Sequence, residues 1–432
     1  MGAEPWYIPF RRAMAAFVQP IADELKTRSV PLRYIFLYSF NEDGNAHGTG
    51  RYVFDPSGLT YWITGGAGSR SGAVLEVARR HSEIARVLIT DAAGHQASSE
   101  MQVNLLNFAL AAFVRDYVDQ GTDRPATWDS RRFNRLYRRL AESIATQSSH
   151  ITVWAPILQL AGGADARPIS VGLNCQLIEP NTEWQVRLAP TFQQDAPPPY
   201  IGPPPRLFLR HEEIASYKQP SMLVGHAIVN DALLAIRLAV GGYAQIQEQR
   251  TFARQGEARP LGSRAGIGMG LPTRQVRVGE RSQVTRRDLP HIRRLSRSME
   301  SLAKSFPLAV DRFRMTAERT RHQDRLIDAV VGLESVLLQG IRLELRFQFS
   351  LRGAWLLGGT SHERLQWMDK LKRVYSARSE VVHGDARGHM KLDDATVAIS
   401  VDALRQILAR IALNGWDPKQ LQAALDTVPF GK

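Results

Sequence analysis

The sequence predicts an α+β protein: an amino-terminal α/β module with a small antiparallel sheet, followed by an all-α bundle of antiparallel helices. Runs of aromatic and β-branched residues, which are typical of strands, occur only before Asp288. From Asp288 onward, apolar residues recur at helical spacing. A Pro-, Gly- and Arg-rich segment separates the two parts. We therefore predict a sensor or recognition module over 1–195, a connecting region over 196–285 and a helical bundle over 286–432.

The composition is that of a soluble globular protein. The chain has 432 residues, of which 44% are hydrophobic and 22% charged, enough for two or three domains that each bury a core. The single cysteine, Cys175, excludes an internal disulfide framework and favours a reducing compartment. No apolar run approaches the roughly 20 residues of a membrane span. We expect a cytoplasmic protein with no membrane contact.

The charge points to a polyanionic partner. The net charge is +13 at pH 7 and the sequence pI is about 10.1. Lysine and arginine side chains bind nucleic acids favourably because they release condensed counterions from the phosphates. Charge that serves only solubility is the alternative. RNA or DNA contact is therefore a hypothesis at this stage.

The amino-terminal module begins with an amphipathic helix over 8–28, whose apolar face carries Phe10, Met14, Phe17, Ile21 and Leu25. Strand-like runs at 33–40, 52–54 and 59–63 alternate with turn sequences and predict the antiparallel sheet. Helices over 72–86, 98–119 and 129–145 follow, with a short strand at 87–90; the inner face of the third helix carries Phe133, Leu136, Leu140 and Ile144. No catalytic motif lies here, so we expect this module to sense a trigger ligand or partner protein, or to select the RNA.

The connecting region combines several kinds of segment. Before it, strand character returns at 151–154, 169–173 and 184–188, within the amino-terminal module. The proline cluster 196–205 predicts a stiff spacer or a ligand for an aromatic groove. An apolar helix over 222–240 leads into a Gly- and Arg-rich stretch that is typical of a loop. Its arginines are candidate RNA-phosphate contacts, with a solvated face as the alternative; those we select are Arg254, Arg264, Arg274 and Arg277.

The carboxy-terminal part predicts helices over 289–305, 308–339, 343–358, 362–383, 394–414 and 418–427. Short connections predict that neighbouring helices are antiparallel, as in an up-and-down bundle. The helix over 343–358 has a predicted inner face of Phe347, Leu351, Ala354 and Trp355. The helix over 394–414 has one of Val397, Val401, Leu404, Leu408 and Ile411.

Two opposite charges fall on inward faces of this bundle. Glu334 interrupts the apolar stripe of the 308–339 helix, and Arg378 shares a face with Leu371 and Val374. An unpaired buried charge is costly, so each needs a partner, and each is the candidate partner of the other. The alternative role is an ion pair that only fixes helix register.

Arg378 and His383 together suit metal-free RNA cleavage. Histidine titrates near neutrality and can move the protons of the 2′-hydroxyl and the leaving oxygen, while arginine grips the phosphate. The spacing alone is weak, since Arg206 and His211 repeat it within a predicted strand. His383, Asp385 and His389 are too loosely spaced to predict a metal site, so we expect no metal or cofactor.

Three successive segments resemble the HEPN superfamily, specifically its ApeA-like branch. They are 324–338, 351–358 and 375–384. Arg378 and His383 match the nuclease motif of that family, Glu334 matches its acidic position, and Ser379 matches the polar residue after the arginine. The resemblance implies a helical homodimer with a composite cleft and metal-independent endoribonuclease activity in bacterial phage defence or toxin systems. The alternative is a non-catalytic HEPN scaffold that binds nucleic acid or a partner protein.

Overall fold

The chain is organised into two compact units. The computed structural model describes residues 4–26, 33–40, 46–55, 71–89, 98–119, 125–158, 160–162, 168–181, 184, 188, 207–217, 222–242, 244–246, 249–258, 282–383 and 392–427. The amino-terminal unit comprises Met1–Pro156, Ile178–Ala227 and Glu248–Leu271, and the carboxy-terminal unit comprises Ile157–Leu177, Ile228–Gln247 and Pro272–Lys432. The predicted helical region 286–432 thus falls within the second unit.

The chain is mostly helical with a smaller, largely antiparallel β component, so the α+β class is confirmed. The first elements are α1 Tyr7–Lys26, β1 Arg33–Phe40, β2 Ala46–Asp55, α2 Gly72–Arg80, α3 Ser82–Leu88, α4 Ser99–Val118, α5 Ser130–Thr146, β3 Ser148–Leu158, β4 Leu160–Gly162, β5 Ile169–Gly172, β6 Cys175–Ile178 and β7 Phe208–Ser216. The remaining elements are α6 Met222–Val240, β8 Gln245–Ile246, β9 Arg250–Ala253, β10 Ser282–Val284, α7 Leu289–Ser296, α8 Met299–Ser305, α9 Pro307–Glu318, α10 His322–Leu337, α11 Leu345–Leu357, α12 Ser361–His383, α13 Asp394–Asn414 and α14 Pro418–Asp426. Among the described helices, none is long and apolar enough to cross a membrane.

The core of the amino-terminal unit is built on the predicted faces of α1 and α5. All five predicted residues of α1 and all four of α5 are buried. Tyr137 of α5 donates its hydroxyl hydrogen to the carbonyl of Tyr7 at 2.6 Å. Each fully buried large apolar side chain contributes on the order of 1.5–3 kcal/mol, which explains why these periodic segments fold as predicted.

One predicted strand in this unit is wrong. Residues 87–90 were expected to form a short strand, but Val87 and Leu88 lie in α3. They are buried together with Ile84, at the i, i+3 and i+4 spacing of a helix face. A short apolar run fits either structure, and packing onto the core decides it.

The described strands pair mainly with antiparallel neighbours. β1 and β2 form the predicted hairpin, with Arg33 opposite Asp55, whereas the predicted strand 59–63 lies outside the described residues. In the amino-terminal unit, β3 pairs with β7 on one side and β9 on the other. In the carboxy-terminal unit, β5 pairs with β6 and the last residues of β3 pair with β8. The boundary between the units falls within β3.

The helix predicted over 308–339 is two helices, α9 and α10. Arg319 and Arg321 between them have extended backbones, with ψ angles of 132° and 133°. Asp328 of α10 binds Arg312 at 2.7 Å and Arg319 at 2.9 Å, and so holds α10 against α9. A continuous helix would carry Arg312 about 24 Å from Asp328 at 1.5 Å per residue, so this cluster requires the break.

α10 is the centre of the helical packing in the carboxy-terminal unit. It contacts α9, α11, α12 and α13. Four of the five predicted residues on α13 are buried, and Val401 is half-buried. The predicted inner face of α11 is partly wrong, since Phe347 is 43% exposed while Phe349 is buried. α11 lies close to α12 because Gly353 lacks a side chain; a Cβ there would come within 2.5 Å of Leu371 Cδ1.

Candidate functional site

Two helices bring the predicted charge pair together. Leu371 and Val374 bury one face of α12, and Arg378 follows on that face. Its Nη2 atom lies 3.5 Å from Oε2 of Glu334 on α10, and the two side chains are 25% and 22% exposed. The predicted pairing of Glu334 with Arg378 is therefore confirmed, at a position that solvent reaches.

Tyr375 is the third member of this cluster. It lies one turn before Arg378, and its hydroxyl is close enough to the carboxylate of Glu334 to lower the pKa of that carboxyl. Its ring packs on Phe349 of α11, with the ring centroids 5.1 Å apart. Tyr375 was not among the predicted site residues, although its place three residues before Arg378 puts it on the same helical face.

The electrostatics of the cluster are set by partial burial. Burial raises the pKa of the Glu334 carboxyl, and the guanidinium of Arg378 and the hydroxyl of Tyr375 oppose this. Burial also raises the pKa of the Tyr375 hydroxyl, and the charge on Glu334 adds to that rise. Tyr375 therefore stays protonated near neutrality and acts as a hydrogen-bond donor.

The guanidinium of Arg378 is not saturated by the described residues. Its contact with Glu334 is longer than the roughly 2.7–2.9 Å of a tight charge-assisted hydrogen bond. Its Nε atom is buried and has no hydrogen-bond partner in the part of the chain that the structure describes. An arginine held in this way keeps donors for an anion such as phosphate.

The other predicted site residues are placed less completely. His383 is the last residue of α12, and its side chain lies outside the described residues. Ser379 is half-buried beside Arg378 on the same helix. Arg264, Arg274 and Arg277 also lie outside the described residues, as do Asp385 and His389. Arg254 belongs to the amino-terminal unit and is exposed after β9.

The described residues present no candidate metal centre. Within the described ranges, no group of three or more His, Cys, Asp or Glu side chains is arranged to hold a metal ion. The side chains of the loosely spaced set His383, Asp385 and His389 lie outside the described residues.

An apolar surface lies at the same end of α12. Phe349 faces Tyr375 and Gly353 faces Leu371, so α11 and α12 run in opposite directions. Residues before Phe349 therefore lie toward Arg378 and His383. Four apolar side chains that are 39–79% exposed belong to this end, which we call the apolar end: Leu343, Leu345, Phe347 and Val382. Exposed apolar residues that adjoin one another are typical of protein interfaces.

Comparison with known proteins yields no match: no family model fits the chain, and no curated protein or solved structure is significantly similar to it.

Proposed function

We propose that the chain is a metal-independent endoribonuclease of the HEPN type. The observation that carries this proposal is the half-buried Arg378, fixed by Glu334 and Tyr375, with unsaturated donors on the helix that ends at His383. Structural arginines are usually saturated by their partners. An arginine that keeps a donor unpaired suits a phosphate, and the net charge of +13 suits a polyanionic substrate.

The proposed reaction is an internal transfer at phosphorus. The ribose 2′-oxygen loses its proton and forms a bond to the phosphorus, and the bond from phosphorus to the 5′-oxygen breaks. Arg378 stabilises the negative charge on the phosphate oxygens. His383 transfers a proton as acid or base. The departing 5′-oxygen takes a proton, so the products carry a 2′,3′-cyclic phosphate and a 5′-hydroxyl.

The proposal includes a homodimer through the carboxy-terminal unit. The reaction moves two protons, and each chain supplies a single histidine in the motif, so a second copy completes the set. The apolar end supports this assembly because it lies beside Arg378 and its exposed apolar side chains would be buried by a second copy. Phe347→Glu should convert a dimer into a monomer in sedimentation and reduce cleavage. Matched Leu365→Glu, on the exposed opposite part of α12, should do neither.

Cleavage of RNA in the presence of EDTA tests the function. The protein should cut RNA, and the ends should be those of the internal transfer. Arg378→Ala and His383→Ala should abolish cutting, while Arg373→Ala, an exposed arginine on the same helix, should not. Strict dependence on a divalent metal would reject the mechanism. RNA that is bound but never cut would favour the alternative, a non-catalytic scaffold that binds nucleic acid.

Bacterial phage defence or a toxin system is the biological setting that we propose with this activity. Such enzymes need control, because uncontrolled RNA cleavage harms the host. The amino-terminal unit is the part available for it, since the proposed chemistry uses residues of the carboxy-terminal unit alone.

A further inference from the structure

The amino-terminal unit contains a groove on one face of its sheet. The groove has a volume of about 510 Å³, which lies in the range of ligand-binding sites. It is open to solvent along the sheet formed by β7, β3 and β9. The lining residues that matter for its chemistry are Arg139, His150, Thr152, Trp184, Arg210 and Arg254.

The strand register explains why this face is open. Residues directly opposite each other on neighbouring antiparallel strands point to the same side of the sheet. Ile151 and Val153 are buried on one side together with His211. Thr152 points to the other side, and Ile214 on that side is 68% exposed. One face of this sheet is therefore core, and the other is exposed over much of its area.

Aromatic side chains form a wall of the groove. Trp184 lies over the buried Trp154 with ring centroids 4.8 Å apart, and Phe252 contacts Trp184 edge-on at 5.3 Å. This packing fixes the plane of the half-buried Trp184 ring where the groove begins. A fixed aromatic plane beside an open cavity is the surface on which an unpaired nucleic-acid base stacks.

Cationic groups line the same groove. They are Arg139 on α5, Arg210 on β7 and Arg254 after β9. Carboxylates offset part of their charge, since Glu212 pairs with Arg210. Glu257 binds His150 at 3.0 Å and lies 3.9 Å from Arg254.

Glu213 also lines the groove, so carboxylates offset much of its positive charge. Burial lowers the pKa of Arg139, and the nearby guanidinium groups of Arg254 and Arg135 lower it further, while Glu257 and Glu142 raise it. Mutual repulsion of this kind is relieved by an anion. Two buried donors also lack hydrogen-bond partners among the described residues, namely Arg210 Nε and Trp154 Nε1.

We infer that this groove binds single-stranded RNA, with a base on Trp184 and phosphates at Arg139 and Arg254. The inference deepens the proposed function and rests on it for the choice of RNA as the polyanion. The groove makes the amino-terminal unit the part that selects the strand. A duplex does not fit this arrangement, because its bases are stacked on each other and cannot reach an aromatic ring.

Binding of a fluorescent single-stranded RNA to the full-length His383→Ala protein, in EDTA and at several salt concentrations, tests the inference. Arg254→Glu and Arg139→Glu should each weaken binding roughly tenfold or more and lower the salt slope by about one. Trp184→Leu keeps an apolar side chain next to Trp154 but removes the aromatic ring, and should weaken binding roughly five- to 150-fold. The matched control is Arg138→Glu, an exposed neighbour on α5 that does not line the groove and should change binding less than threefold.

Each outcome either supports or overturns the inference. Loss of binding in the groove variants, with unchanged melting temperatures, supports the inference even if the parent protein cuts no RNA. Parent-like binding by Arg254→Glu and Trp184→Leu overturns it even if RNA is cut. A parent that binds no single-stranded RNA at low salt also overturns it. Competition by a mononucleotide as strong as by the strand would show a nucleotide pocket instead.

Discussion

α10 carries two carboxylates that bind arginines outside this helix, and the two clusters differ in how completely their charged groups are paired. Asp328 is 3% exposed and receives two arginines, at 2.7 and 2.9 Å. Glu334 is 22% exposed and receives one arginine at 3.5 Å, and that arginine retains a buried Nε without a partner among the described residues. The same residue types thus build a closed structural link in one place and an unsaturated, accessible site in the other. An ion pair whose charged groups are all bound holds helices together. An ion pair that leaves an arginine donor unbound can bind a substrate.

The largest effect on stability is expected at Asp328. Asp328→Asn removes the charge that binds Arg312 and Arg319, and leaves a buried amide that cannot serve both. We expect a loss of about 2–3 kcal/mol in the free energy of unfolding, below the roughly 3–5 kcal/mol of a fully buried pair because both arginines are partly exposed. Urea unfolding measures this. A variant as stable as the parent would contradict the structural role of the cluster.

A smaller effect, and a different pH dependence, is expected at Glu334. Burial raises its pKa in the fold, so the carboxyl favours folding below its unfolded pKa and disfavours folding as pH rises through the folded value. As the pH rises through the folded pKa, Glu334→Gln should therefore gain unfolding free energy relative to the parent. At pH 7 the two unfolding free energies should differ by no more than about 1 kcal/mol. Unfolding measured from pH 3 to pH 8 checks the sign. A variant that loses stability with rising pH, relative to the parent, would contradict it.

The smallest effect is expected at Tyr375. Tyr375→Phe keeps the ring contact with Phe349 and removes the hydroxyl that acts on Glu334. We expect a cost of only about 0.5 kcal/mol in unfolding free energy and a decrease of a few-fold in cleavage rate, because Arg378 is then held less firmly. The matched control is Tyr137→Phe, which removes a hydroxyl bond to Tyr7 in the other unit and should leave the cleavage rate unchanged. Equal effects of both variants on cleavage would deny Tyr375 a positioning role.

The sequence predicted those features that depend on the residue pattern within single helices. The buried faces of α1 and α5 follow from periodicity, and the pairing of Glu334 with Arg378 follows from the cost of an unpaired charge on an apolar face. The break before α10 was missed because residues 319–321 include neither Pro nor Gly; the ion pairs of Asp328 favour it. The groove around Trp184 was missed because strands far apart in sequence assemble it.

The cleavage rate of Arg378→Lys in EDTA, measured together with its unfolding free energy, tests the central claim most directly. Lysine keeps a positive charge for Glu334 but loses the planar fork that grips a phosphate. We predict cleavage at least roughly 100-fold slower than the parent, with the unfolding free energy changed by less than about 1 kcal/mol. Cleavage at the parental rate would show that Arg378 is only a structural partner of Glu334. So would a large decrease in unfolding free energy while the protein that remains folded still cleaves at the parental rate.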